Sequence, residues 1–469
     1  MEAVVRLVDF IFLLFFLTLN IGYTVLMMLS MVEILLRNVR RIDTELHHSL
    51  GSFYTIPVTI IAPAYNESMT IEASIKALLS LRYPEFEVIV VNDGSKDDTV
   101  GTMIEAFDLY PVHPIYRMRI PTKEIRGIYK SRTEPRLTFI DKENGGKADA
   151  LNCGVNAAEY PLFCGIDADT LILPDALLKV CLPFMEQPEK TVASGGTIRV
   201  ANGCTVRGGQ VEKVGFPKNA VARFQVVEYL RAFLFGRVGW NIIDGTLIIS
   251  GAFGVFKRQT AIEVGGYTHD TVGEDMELVV KMHRYLREHE RDYRIVFVWD
   301  AACYTEVPES LDVLSRQRNR WHRGLMDSLF RHRVMMGNPK YGVIGTVVFP
   351  FFGLFEMLGP LIELTGVAFV CFSFLFGVVD GAFMCLFLTV SVLFGIMLSI
   401  LAVLLEEISY AAFPSWRDLL MISAYAVLEN FGYRQLTVLW RVRGMWAFIR
   451  GQKQWGAMVR KGFAPKEEI

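Results

Sequence analysis

The stretch Pro57-Val58-Thr59-Ile60-Ile61-Ala62 is short, apolar and rich in β-branched residues, and it reads as a strand of a buried sheet. Glu87-Val88-Ile89-Val90-Val91-Asn92 repeats the pattern. Between them, 68–81 has helical spacing. A strand–helix–strand unit of this length makes a parallel sheet with helices on its faces, hence an α/β fold. Further strands are expected at 137–140, 162–166, 191–195, 248–256 and 294–298. Open sheets of this class bind ligands at the carboxyl ends of their strands. The polar candidates of this chain lie where those runs end.

The chain has 469 residues, which suggests two to three units. Its hydrophobic content of 52% and mean hydropathy of +0.32 are high for a soluble protein. A net charge of -2 argues against nucleic acid as a partner. The seven cysteines are scattered, odd in number and without C-x-x-C spacing, which argues against a disulfide scaffold or a zinc site.

Phe10 to Val32 carries no charged residue and is long enough to span a bilayer. Its acidic flank and length do not fit a secretory signal. Arg37, Arg40 and Arg41 follow, which places the chain after residue 40 in the cytoplasm. After Tyr341 the chain turns apolar again, and four spans are expected at about 342–359, 360–379, 382–405 and 419–440. Pro350, Gly359 and Pro360 interrupt the first two, and one kinked span plus an interfacial helix fits the same residues. The basic residues after Trp440 expect a cytoplasmic tail, and an even number of crossings satisfies both ends. The expected organisation is therefore a membrane helix in 1–41, an α/β domain over 52–310, an amphipathic segment over 311–340, membrane helices over 341–440 and a basic tail over 441–469. Glu356, Glu363 and Glu429 fall at or near membrane depth, where they either line a polar conduit or snorkel to the interface.

Several stretches carry chemistry, each with a plainer alternative. Ala64-Tyr65-Asn66-Glu67 follows the first strand, and Asn92-Asp93-Gly94-Ser95 the second. Asp93 can accept hydrogen bonds from a base or ribose hydroxyl, or form an Asx-turn into a helix cap. In Asn144-Gly145-Gly146-Lys147 the glycines let backbone approach a ligand, and Lys147 offers a point charge to a pyrophosphate. A Gly-Gly turn with a solvated lysine fits the same residues. Asp167-Ala168-Asp169 closes the apolar run 162–166, and two hard carboxylates there can hold Mg²⁺ or Mn²⁺. Gly273-Glu274-Asp275 opens an expected helix over 276–287, where a carboxylate serves as general base or as a helix-terminal charge. In Gln317-Arg318-Asn319-Arg320-Trp321, Arg320 has the fork for a diphosphate and Trp321 a flat face for a pyranose ring. An interfacial helix with Trp at the headgroups also fits.

In this order these stretches resemble the membrane-embedded family 2 glycosyltransferases, the synthases of cellulose, chitin, hyaluronan and poly-N-acetylglucosamine. The resemblance covers about 55–325 closely and the membrane part in outline. It implies a GT-A, Rossmann-like cytoplasmic domain followed by membrane helices. It assigns Ala64, Tyr65, Glu67 and Asp93 to the nucleotide, Lys147 and Asp167 to the diphosphate, and Asp167 with Asp169 to the metal. Asp275 would be the general base with Glu274 beside it. Ser250 and Gly251 would bind the acceptor, and Gln317, Arg320 and Trp321 would hold diphosphate and acceptor. Lys453-Gln454-Trp455-Gly456 resembles a loop that closes over the nucleotide in hyaluronan and chitin synthases. Ala457-Met458 replaces the Thr-Arg found there, leaving Arg460 as the nearby cation.

The implied activity is inverting, metal-dependent transfer from a UDP-sugar, UDP-N-acetylglucosamine or UDP-glucose, onto a growing β-linked polysaccharide. The implied setting is the bacterial inner membrane, with lipid and an envelope export protein as partners. The short stretch after Phe463 leaves no room for a carboxy-terminal cyclic-di-GMP sensor, so regulation by that route is expected to need another subunit. The alternatives are transfer of one sugar to a lipid carrier and an inactive nucleotide-sugar receptor.

Overall fold

The computed structural model describes residues 2–42, 55–113, 117–167, 170–207, 209–410 and 415–452. Among these, one compact unit comprises 55–215 and 246–307, and the other 2–37, 216–245 and 308–452. Residues 216–245 thus group with the helical unit, although they lie inside the stretch expected to be α/β.

The α/β unit grows from β1 (Val58–Ala64) and β2 (Phe86–Asp93), joined by the helix Ile71–Leu79. They pair in parallel from Val58↔Phe86 to Ala64↔Asn92. β3 (Leu109–Val112) and β4 (Ile125–Ser131) form an antiparallel edge beside β5 (Leu137–Lys142), which runs parallel to β2. β6 (Leu162–Ile166) lies parallel to β1 on its other side. β7 (Leu171–Ile172) and β8 (Thr191–Val200) follow, and β9 (Thr205–Arg207) pairs with β10 (Gln210–Lys213) in a separate ribbon. β11 (Phe253–Lys257) inserts antiparallel between β6 and β8, and β12 (Arg294–Thr305) runs parallel to β8. The sheet order is β3-β4-β5-β2-β1-β6-β11-β8-β12-β7. This is the expected α/β class, with a parallel half continued as a mixed sheet.

The core explains the apolar runs. Ile61, Ile89, Ile140, Leu151, Phe163 and Phe256 are buried in one cluster. Each contributes roughly 1.5–3 kcal/mol relative to remaining in water. β4 lies within 117–136, a basic stretch whose sequence suits a solvated loop first, and a contact for acidic lipid or a partner second. The strand sits near the sheet edge and its central residues are only half-buried. β3 covers β4 only from Ile128 to Ser131, so the first residues of β4 are left open, where charge is the usual protection. β11 begins at Phe253 and not at 248, because the preceding residues leave the ladder and turn toward the site.

In the helical unit, two helices are long and apolar enough to cross a membrane among the described residues: Glu2–Leu36 and Gly381–Glu407. A third candidate is the pair Ile344–Met357 and Gly359–Leu375, bent by 48°. The two spans expected at 342–359 and 360–379 are thus one broken element. The bend falls at Leu358, just before Gly359 and Pro360, while Pro350 lies inside the first half between two π-helical turns. The stretch expected as a span at 419–440 does not form one continuous helix. It is split into Trp416–Leu428 and Tyr433–Ile449, and Gly432 between them has φ 99°. Neither half meets the length and apolarity of a span.

Glu356, Glu363 and Glu429, expected at or near membrane depth, each pair with an arginine. Glu356 binds Arg441 at 3.0 Å and accepts from the Tyr23 hydroxyl. Glu363 binds Arg434 at 2.9 Å, and Glu429 binds Arg231 at 2.6 Å.

Candidate active site

The strand directions decide what meets. β1, β2, β5 and β6 run parallel, so Tyr65, Asp93, the Gly145–Gly146 turn and Asp167 all emerge at one edge. β11 runs the other way, with Phe253 opposite Ile166. Ser250 and Gly251, which precede it, therefore arrive at the same edge.

The loop after β1 is tied to the loop after β2. Asn66 N–H donates to Ser95 Oγ at 2.9 Å, and Lys96 N–H donates to Asn66 Oδ1 at 2.8 Å. Asn66 adopts φ 57°, a left-handed turn that asparagine tolerates. Tyr65 is left exposed, Ala64 is buried, and Glu67 accepts from the Thr70 hydroxyl.

Asp93 is buried, and its carboxylate accepts from Gly145 N–H at 2.9 Å, Gly146 N–H at 2.7 Å and Lys142 Nζ at 2.7 Å. It braces the glycine turn of the next loop and does not close a turn on its own. Lys142 is fully buried and also reaches Asp149 Oδ1 at 2.6 Å. Burial alone would lower its ammonium, but Asp149 and Asp93 carry it above the usual lysine range. Sequence reading passed over Lys142, because a lone lysine ending a strand looks solvated.

Gly146, at φ 88°, turns the chain into the helix Lys147–Ala157. Lys147 Nζ lies 2.5 Å from Asp167 Oδ1 and 3.7 Å from Glu274 Oε1. Burial would depress this ammonium, and Asp167, Glu274 and Asp275 together raise it. Glu274 is buried, whereas Asp275 is half-buried at the start of the helix Glu274–Glu288. Asp275 Oδ2 accepts from Gly251 N–H at 2.9 Å. That bond ties the candidate base to the Ser250-Gly251 segment. Tyr267 was also missed by sequence reading. It is buried, and its hydroxyl is raised by burial and by Asp275, Glu274 and Asp167.

Asp167, Lys147, Glu274, Asp275 and Gly251 are therefore one cluster. Asp169, Trp455 and Arg460 lie outside the described residues. Among the described residues no three His, Cys, Asp or Glu side chains converge as a ready-made metal cage. The oxygen donors present, Asp167 and Glu274, do hold a cation, the Lys147 ammonium.

Gln317, Arg320 and Trp321 belong to the helical unit, on the helix Leu311–Arg331. Ser310 caps this helix by accepting from Val313 N–H. The organising residue of the segment is Arg318. It donates to Gln317 Oε1 at 2.6 Å and Glu228 Oε2 at 2.7 Å. The same carboxylate oxygen accepts from Tyr433 Oη at 2.8 Å. Burial would raise the Glu228 carboxyl, but Arg318 and Tyr433 hold it below the usual range.

Residues 163–428 match the family model described as Glycosyl transferase family group 2, and residues 59–119 match Glycosyl transferase family 2. The chain belongs to glycosyltransferase family 2. This glycosyltransferase is 31% identical over 277 residues to the poly-beta-1,6-N-acetyl-D-glucosamine synthase of Staphylococcus aureus strain COL, covering 58% of this chain and 56% of that one. It is 30% identical over 275 residues to the same synthase of Staphylococcus epidermidis, with coverage of 58% and 56%. The chain thus spans about half the length of the curated relatives it matches. Among solved structures, the mannosyltransferase of Pyrobaculum calidifontis in complex with GDP-Man and Mn²⁺ is similar at TM-score 0.48 and 18% identity, over 89% of this chain and 99% of that one.

Proposed function

We propose that this glycosyltransferase is an inverting polysaccharide synthase that extends a β-linked polymer from a UDP-sugar, with UDP-N-acetylglucosamine the first donor to test. The observation that carries the reading is the meeting of Asp275 with Gly251 and of Lys147 with Asp167 at the carboxyl edge of the sheet. The likeness to N-acetylglucosamine polymer synthases supports the choice of donor.

Asp275 is the general base. Its carboxylate is half-buried and aimed by Gly251 N–H, so it can receive the proton of an acceptor hydroxyl. The hydroxyl oxygen bonds to the anomeric carbon as the bond from that carbon to the diphosphate oxygen breaks. The anomeric centre inverts, and UDP leaves with the bonding pair. Glu274 keeps the pocket negative around Lys147. Tyr65, Glu67 and Asp93 border or brace the nucleotide edge, and Trp455 and Arg460 are proposed to close over it.

A divalent cation, Mg²⁺ or Mn²⁺, would be held by Asp167 and Asp169, with phosphate oxygens completing its shell. It would neutralise charge on the departing diphosphate. The oxygen-only donors around Lys147 fit such an ion. Trp321 stacks on the acceptor sugar, with Gln317 and Arg320 beside it. Arg37, Arg40 and Arg41 after the first apolar helix support a cytoplasmic catalytic unit in the inner membrane. The helices would then pass the polymer outward, toward an export partner.

The test is UDP release by purified protein with Mg²⁺ or Mn²⁺, using UDP-N-acetylglucosamine and UDP-glucose separately, beside Asp275→Asn. High-molecular-weight product from one donor, reduced about 10²–10⁴-fold in the variant, supports the reading. A short lipid-linked product means single transfer instead. Silence with both donors leaves another nucleotide sugar, a missing partner subunit or the receptor reading.

A further inference from the structure

Lys142 and Lys147 each touch carboxylates from other elements near the carboxyl edge of the sheet, and they differ in one respect. Lys142 is fully buried between Asp93 and Asp149. Removing it from those carboxylates would strand two buried charges, so it stays. Lys147 and Asp167 keep side-chain exposures of 20% and 28%. Water and a ligand can reach both, and the pair can part without stranding a charge in a dry interior.

The position of the Lys147 ammonium is what a metal ion would need. It touches Asp167 Oδ1 and faces Glu274 Oε1. A Cβ built on Gly251 would lie 3.0 Å from Nζ and 3.4 Å from Asp275 Oδ2. The ammonium, the candidate base and the Gly251 backbone therefore crowd one point. Lys147 is the first residue of its helix and keeps part of its side chain open to solvent, so it has room to swing. Its four-carbon stem and compact charge suit exchange between anionic partners.

We propose that Lys147 is a resident counter-ion that occupies the cation seat at Asp167 and Glu274 until a divalent cation and a nucleoside diphosphate arrive together. This rests on the metal-dependent reading above. The cation takes the carboxylate that Lys147 leaves, and the diphosphate takes the ammonium that the carboxylate leaves. A cation alone must evict the ammonium. A diphosphate alone must draw the ammonium from its carboxylates. Each ligand therefore tightens the other by the same factor.

The experiment measures Mn²⁺ binding to the purified full-length protein by the paramagnetic resonance signal of free Mn²⁺, with and without UDP. Coupled sites typically shift affinity about 5–150-fold, and wild type is expected in that range. Lys147→Met should bind Mn²⁺ alone several-fold more tightly than wild type and lose most of the UDP effect. Lys147→Arg keeps the charge and should behave like wild type, which guards against a general folding defect in the Met variant. If Lys147→Met binds Mn²⁺ alone no more tightly than wild type, or Lys147→Arg matches Lys147→Met, the counter-ion role is overturned while the metal reading stands. If wild type takes no Mn²⁺ even with UDP, the metal reading fails and this inference with it.

Discussion

The guanidinium of Arg318 lies 4.3 Å from the centre of the Trp321 ring. Arg318 is 3% exposed and Trp321 is 42% exposed, so a buried cation backs an open aromatic face. Glu228 fixes that cation through Arg318 Nη2. Neutralising the carboxylate in Glu228→Gln should loosen Arg318 and blur the orientation of Trp321. Given Trp321 as the acceptor platform, acceptor holding suffers and donor binding does not. The expected result is shorter polymer at an unchanged KM for the UDP-sugar, read by sizing radiolabelled product. Unchanged product length would separate Glu228 from the platform.

The strands with apolar β-branched runs were legible because burial on both faces leaves little else for the residues to be. Asp167, Glu274 and Asp275 were legible as types at strand and helix ends. Their grouping was not, since it depends on β11 running antiparallel to β6 and delivering Gly251 beside Asp275. β4 was missed because its basic residues and half-buried centre, one strand in from the edge, hide any apolar pattern. The helix breaks were not legible, because hydropathy does not register the bend between Met357 and Gly359 or the turn at Gly432. Arg318 escaped notice because its value lies in Glu228 and Tyr433, far away in sequence.

Lys142 is the shared cation of Asp93 and Asp149, both 4% exposed. Lys142→Met leaves two buried carboxylates without it, a change worth about 3–5 kcal/mol. The variant should melt well below wild type in a thermal unfolding scan. Asp93→Asn in the Lys142→Met background should cost less than the two single changes added, because both act on one network. Additive losses would show that the network is not coupled.

His283 is 1% exposed; Tyr293 Oη lies 2.7 Å from its Nδ1 and Thr246 O lies 2.9 Å from its Nε2. A neutral ring satisfies both, accepting from the tyrosine and donating to the carbonyl. Burial lowers its pKa from 6.5 to about 4. The unfolded chain therefore binds the proton first as pH falls, so stability rises with pH across that window. The contribution is full above about pH 6.5 and is lost progressively toward pH 4, by about 3 kcal/mol in all. His283→Gln should flatten this part of the stability-against-pH curve measured by denaturant unfolding. An equal slope in the variant would assign the pH dependence to other groups.

Gly154 sits in the helix that begins with Lys147, and a Cβ there would meet Ile61 Cγ2 at 2.3 Å. Glycine in a helix interior ordinarily gains roughly 0.5–1 kcal/mol on replacement by alanine. Here the sign should reverse, because the added methyl must push the helix off β1, and overpacking of this kind costs about 1–3 kcal/mol. The shift would also carry Lys147 away from Asp167, so Gly154→Ala should lose both stability and UDP release. Gly146→Ala is the contrast. Its Cβ would meet nothing within 4 Å, and only the backbone at φ 88° and ψ 168°, a region essentially reserved for glycine, opposes it, a strain of about 1–3 kcal/mol. Unfolding and turnover measured on the two variants together separate the two causes. A stabilised Gly154→Ala would mean that the helix can slide over Ile61 without harm, and that the close approach does not set the position of Lys147.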